Sequence, residues 1–77
     1  MNFRLDYLIG RRIRKRRRDM DMTQEDLARK LGVCFQAVGK WEGGAVHIPV
    51  CRLWAVSQAL GVPVSFFFEG LEERLAA

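Results

Sequence analysis

Two polar side chains suited to reading a base edge, Gln36 and Lys40, stand one helical turn apart in Phe35-Gln36-Ala37-Val38-Gly39-Lys40-Trp41-Glu42. A carboxamide offers a donor and an acceptor together, which suits adenine, and an ammonium donates to guanine or to a phosphate. An ordinary solvated helix face carries the same residue types, so spacing alone leaves both readings open. A second group is cationic: seven of the 13 basic residues fall between Arg11 and Arg18. Successive helical residues point in different directions, so Arg11, Arg12, Arg14, Lys15, Arg16 and Arg18 cannot all meet one backbone. One or two near the helix ends are expected on phosphate and the others in solvent, together making polyanion binding salt-sensitive.

Other chemistries find little support. There is one histidine, His47, no Gly-rich phosphate loop and no nucleophile–base grouping, so no enzyme is expected. His47 has no companion ligands and reads as loop surface or a phosphate contact, not a metal site. Cys34 and Cys51 show neither CxxC nor Cys/His spacing. No zinc, disulfide framework or other cofactor is expected, and a reducing cytosol fits. Cys34 is expected to be a plain buried thiol. The start of the chain lacks the pattern of a signal peptide, and no apolar run is long enough for a bilayer, so a cytoplasmic protein without a membrane partner is expected. A formal charge of +4 and a pI near 9.7 admit polyanions as partners.

These side chains need elements to hold them. A chain of 77 residues affords one domain and a modest core, expected as residues 1–77 with its core over 5–69 and a short charged tail at 70–77. Leu5, Leu8, Ile9, Ile13 and Met20 fall near helical spacing, predicting a basic amphipathic helix that ends around Asp19–Asp21. Aspartate tolerates the left-handed geometry of such an exit. Thr23-Gln24-Glu25-Asp26 resembles a capping box with Asp26 in the usual Glu position. The second helix it opens buries Leu27, Ala28 and Leu31 and stops at Gly32.

A third helix over 35–42 turns Val38 and Trp41 inward and stops at Gly43-Gly44. A fourth, from near Pro49, carries Leu53, Val56 and Leu60, and the apolar segment Val64 to Phe68 is the fifth. The predicted class is all-α: a compact bundle of five helices, in which helices 2 and 3 form a helix-turn-helix and helix 3 enters the major groove.

Arg17 lies four residues after Ile13 and continues the inward stripe. An unpaired guanidinium there is very costly. Glu42, four residues after Val38, borders the same interior. An Arg17–Glu42 pair is therefore predicted, fixing the third helix against the first; the alternative turns Arg17 to solvent.

Residues 9–68 resemble the Cro/C1-type (XRE, lambda-repressor-like) helix-turn-helix family. The resemblance runs through Ile9-Gly10-Arg11-Arg12-Ile13-Arg14, Met22-Thr23-Gln24-Glu25-Asp26-Leu27-Ala28, Leu31-Gly32-Val33, Trp41-Glu42 and Ala59-Leu60-Gly61-Val62. It implies a lambda-repressor-like fold and a sequence-specific regulator, of the repressor kind, that binds double-stranded DNA as a homodimer in a bacterial or phage cytosol. It also implies the Arg17–Glu42 link. Gln24 would contact the DNA backbone and brace the recognition helix, while Phe35, Gln36 and Lys40 would read bases. Phe35 either meets a thymine methyl group or packs. Gly43 and Gly44 either bring backbone amides to phosphate or simply end the helix. With Arg14, Cys34, Ala37, Gly39 and His47, these residues make up the expected DNA interface.

Some positions depart from the family. Cys34 stands at an N-cap where Ser or Thr is usual, and Asp21 replaces a customary glycine. Gly39 replaces a larger polar residue, costing its helix about 0.5–1 kcal/mol relative to Ala. Val64, Phe67 and Phe68 take core positions. Phe66 falls where polar residues are frequent, so Phe66 and Leu71 are the expected dimer surface, unless Phe66 folds under residues 71–77. The competing function is a protein-interaction module, an antitoxin or anti-regulator on the same fold with a protein partner.

Overall fold

The structure, a computed structural model, describes residues 3–76. Residues 1, 2 and 77, which the single-domain reading 1–77 includes, lie outside that span.

The first apolar stripe makes α1, Phe3–Asp19, which buries Leu8, Ile9 and Ile13. Its exit runs through Asp21 at φ 55, a left-handed conformation aspartate accepts better than most residues. Met20, expected on the buried stripe, is exposed because the helix has already ended at Asp19. α2, Gln24–Leu31, begins with a reciprocal capping box. Thr23 Oγ1 accepts from the Asp26 amide at 3.0 Å, and Asp26 Oδ2 accepts from the Thr23 amide at 2.9 Å. The Thr23 amide donating to the carboxylate, followed by the nearby Thr23 hydroxyl and the Arg29 guanidinium, holds the Asp26 carboxyl below its ordinary pKa. α2 ends at Gly32 in the left-handed region.

α3 spans Phe35–Gly43 and α4 spans Val50–Ala59. The fifth predicted helix is a short 3-10 helix over Val64–Phe68, entered through Pro63. The expected tail does not trail free. Beyond Gly70 it winds into α5, Leu71–Ala76, whose Leu71 is buried and whose Leu75 packs against the core. Leucines four residues apart on one helical face explain the difference.

Ile13 of α1, Leu27 of α2, Val38 of α3, Val56 of α4, Leu60 just after it and Phe67 of the 3-10 helix are all fully buried. Each such side chain contributes about 1.5–3 kcal/mol of transfer free energy. Phe68, expected in the core, is instead exposed. α1 crosses α3 closely at Gly10, where a Cβ would stand 2.2 Å from the Trp41 carbonyl oxygen. Only glycine permits that approach. Among the described residues no single helix is long and apolar enough to cross a membrane.

Candidate nucleic-acid interface

α3 presents two different faces. Val38, Trp41 and Glu42 are buried, whereas Phe35, Gln36, Lys40 and Gly43 are exposed. Ala37, expected on the DNA side, packs against the core instead, because it shares the inward side of the helix with Trp41. Cys34 takes the extended N-cap conformation but its side chain makes no capping bond, since a thiol is a weak acceptor. It is exposed and free, not the buried thiol expected.

A buried network fixes this helix. Arg17 Nε donates to Glu42 Oε2 at 2.6 Å and Nη2 donates to Glu42 Oε1 at 2.9 Å. Nη1 donates to the Met22 carbonyl at 2.7 Å. Both side chains are almost fully withdrawn from solvent, at 7% and 3% exposure. Hydrogen bonding to Glu42 raises the guanidinium pKa above its ordinary value, against the opposing effect of desolvation. Gln24, the first residue of α2, donates from Nε2 to Glu42 Oε1 at 3.1 Å. One carboxylate thus ties α1, α2 and α3 together.

In the loop after α3, Gly44 takes the helix-stop alternative. Gly44 is left-handed and spends its amide on the Lys40 and Trp41 carbonyls, so that amide is not offered to a phosphate. A Cβ there would also lie 2.8 Å from Tyr7 Cα, so this glycine serves the packing of α1. His47 turns toward Asp6, with Nδ1 at 2.6 Å from Oδ2, and stays about half exposed at 53%. The pair ties the loop to the first turns of α1.

The basic helix divides in two. Arg12 donates to the Phe66 carbonyl and Arg16 to the Leu60 carbonyl, so these two satisfy helix-end acceptors instead of solvating. Arg14 is half-buried, has no ion pair among the described residues, and lines a shallow surface groove with Arg11, Lys15 and Arg18. Arg11 also lies over the Tyr7 ring, 5.8 Å from its centroid.

Leu71 and Phe66 do not form an exposed patch. Leu71 is core, and Phe66 is half-buried with its ring edge-on to Phe67 at 5.4 Å. The most exposed large apolar side chains among the described residues are Val50 (83%) and Trp54 (59%), both on α4. Sequence reasoning missed it, although Trp54 stands four residues after Val50 and off the buried Leu53–Val56–Leu60 stripe. It also gave Gly10 no role of its own, since a glycine's partner across a helix crossing leaves no local trace.

The helix-turn-helix family HTH_3 matches residues 13–67. A transcriptional regulator in the ATPase CF(0) region of Rhodospirillum rubrum is 43% identical over 68 residues, covering 88% of this chain and 63% of the relative. An HTH-type transcriptional regulator of Sinorhizobium medicae is 48% identical over 65 residues, covering 84% of this chain and 47% of the relative. The chain therefore spans between about half and two thirds of the length of these relatives. Among solved structures, the hypothetical transcription factor NHTF from Neisseria superposes with a TM-score of 0.81 at 25% identity, covering 99% of this chain and 88% of that one.

Proposed function

Since the chain belongs to the HTH_3 helix-turn-helix family, which is not an enzyme family, we propose that it is a sequence-specific transcriptional regulator of double-stranded DNA. The carrying observation is the rigid mounting of α3. The Arg17–Glu42–Gln24 network holds its inner side while Phe35, Gln36 and Lys40 stand free on its outer side. A nine-residue helix with polar residues on its free face fits the major groove. Gln36 supplies a donor and an acceptor to a base edge, Lys40 a donor to guanine or phosphate, and Phe35 an apolar contact for a thymine methyl group. Arg14, with Arg11 and Arg18, supplies the salt-sensitive attraction to the duplex backbone.

The protein acts in the cytosol as a homodimer of the repressor kind. Two copies on one duplex place their recognition helices about one helical turn apart. The second copy meets the most exposed apolar side chains, Val50 and Trp54 of α4, which replace Phe66 and Leu71 in that role. Those exposed residues equally favour the competing reading, in which the same fold holds a different protein.

Selection of binding sites from a random duplex pool at near-physiological salt separates the two. Enrichment of a two-fold symmetric site, lost on Lys40→Glu with the fold intact, supports the regulator. Salt-sensitive retention with no enriched site leaves charge-driven binding only and overturns the groove-reading assignment.

A further inference from the structure

Gly39 sits in the middle of α3 on helical backbone, where glycine weakens a helix relative to alanine. Packing does not require it. A Cβ built there meets Gln24 Oε1 first, at 3.5 Å, an ordinary contact. Gly10 and Gly44 differ, since a Cβ at either would run into backbone at 2.2 or 2.8 Å. Alanine at 39 would therefore fit and strengthen α3, so stability does not account for the glycine.

The bare position is bordered by the carboxamide of the half-buried Gln24. Both Glu42 oxygens accept from Arg17, and a carboxylate has only acceptors to offer. Gln24 must therefore turn its amide nitrogen toward Glu42 Oε1, as the 3.1 Å bond shows. Its carboxamide oxygen is then forced the other way and is the atom nearest the vacant side of Gly39. Position 39 follows Gln36 by three residues and precedes Gly43 by four, so it adjoins the exposed face of α3. Among the described residues no donor bonds to that oxygen, which leaves it an acceptor for a ligand. The donors that base edges offer in the major groove are the exocyclic amines of adenine and cytosine.

We propose that Gln24 is a specificity-determining residue: it reads an adenine N6 or cytosine N4 amine past α3, through the gap that Gly39 leaves. The inference rests on the major-groove reading of α3 given above. A side chain at 39 would cover the oxygen, so the glycine trades helix stability for one reading contact.

The test repeats the site selection with wild type, Gly39→Ala, Gln24→Ala and the double variant, alongside thermal melts. Gly39→Ala is expected to melt no lower than wild type. It should nevertheless lose about five- to tenfold of the preference for A or C at one position of each half-site, the weight of one hydrogen bond. Gln24→Ala should lose the same position, and the double variant no more than Gln24→Ala alone. An unchanged selection profile for Gly39→Ala overturns the proposal and leaves the regulator reading standing. A loss spread evenly over all positions means the methyl group merely obstructs the duplex, and also overturns it. If wild type enriches no site, both readings fall together.

Discussion

Replacing Glu42 by Ala strands the Arg17 guanidinium. Arg17 is 6% exposed and the carboxylate takes two of its donors, so only the Met22 carbonyl remains to it. Removing one partner of a buried pair costs about 3–5 kcal/mol, because the surviving charge stays desolvated without compensation. A chain of 77 residues has about 4–12 kcal/mol in total, at roughly 0.05–0.15 kcal/mol per residue. Glu42→Ala should therefore consume between a quarter and all of the stability. Each kcal/mol shifts the melting midpoint of a domain this size by about 4–8 °C, so a fall of at least about 12 °C is expected. Circular dichroism melts and urea titrations at pH 7 measure it. The double variant Arg17→Met with Glu42→Leu removes both charges. It should recover most of the loss, since apolar replacement of a buried pair is often neutral or stabilising by about 1–4 kcal/mol. Yet it also frees Gln24, so it should fold well and discriminate DNA sites poorly. A Glu42→Ala midpoint within about 4 °C of wild type would refute the reasoning, since it would mean Arg17 reaches water at little cost.

Three further outcomes follow from single contacts. The folded-state pKa of Asp26 lies below its unfolded value, so the folded protein holds fewer protons as the group titrates. Its contribution is full above the ordinary carboxylate pKa of about 3.9 and fades as pH falls through the depressed value; Asp26→Asn should flatten acid-unfolding curves over that window. Gly10→Ala should unfold the protein or lower its midpoint sharply, because the new methyl would stand 2.2 Å from the Trp41 carbonyl; a variant melting like wild type would show that α1 can shift away from α3 freely. Cys34→Ser should supply the cap that α3 lacks and add about 0.5–2 kcal/mol, read as a raised urea midpoint with an unchanged slope.

What was legible in the sequence was periodic or local. Leu5 to Ile13 announced α1 by spacing, and Thr23 with Asp26 announced the start of α2 by chemistry that spans only three residues. The Arg17–Glu42 pair lies 25 residues apart, yet charge at an inward position of each helix demanded a partner. The illegible features depend on what lies across a gap in space. Arg12 and Arg16 look like their solvated neighbours until the Phe66 and Leu60 carbonyls are seen to end beside them. His47 looks solitary in the sequence because its loop lies far along the chain from Asp6 of α1. Leu71 reads as an exposed contact in the sequence because its helix has only six residues, too few for periodicity to show.

α3 is a poor helix on local grounds and a well-fixed one by tertiary ties. It has nine residues, no side-chain cap, an internal glycine at 39 and another at its end. Isolated helices of this length are marginal even in favourable sequences. Its order must come from outside, through the close crossing at Gly10, the carboxylate held by Arg17 and the amide held by that carboxylate. All three supports attach to its inner side, and two of them come from α1. The outer side is therefore free to carry residues that do nothing for folding. A helix stable by its own propensity would have filled the cap and position 39 with better formers, and an alanine at 39 would cover the Gln24 oxygen. Moving the support of α3 into α1 is what allows its exposed face to be chosen for contact with a ligand alone.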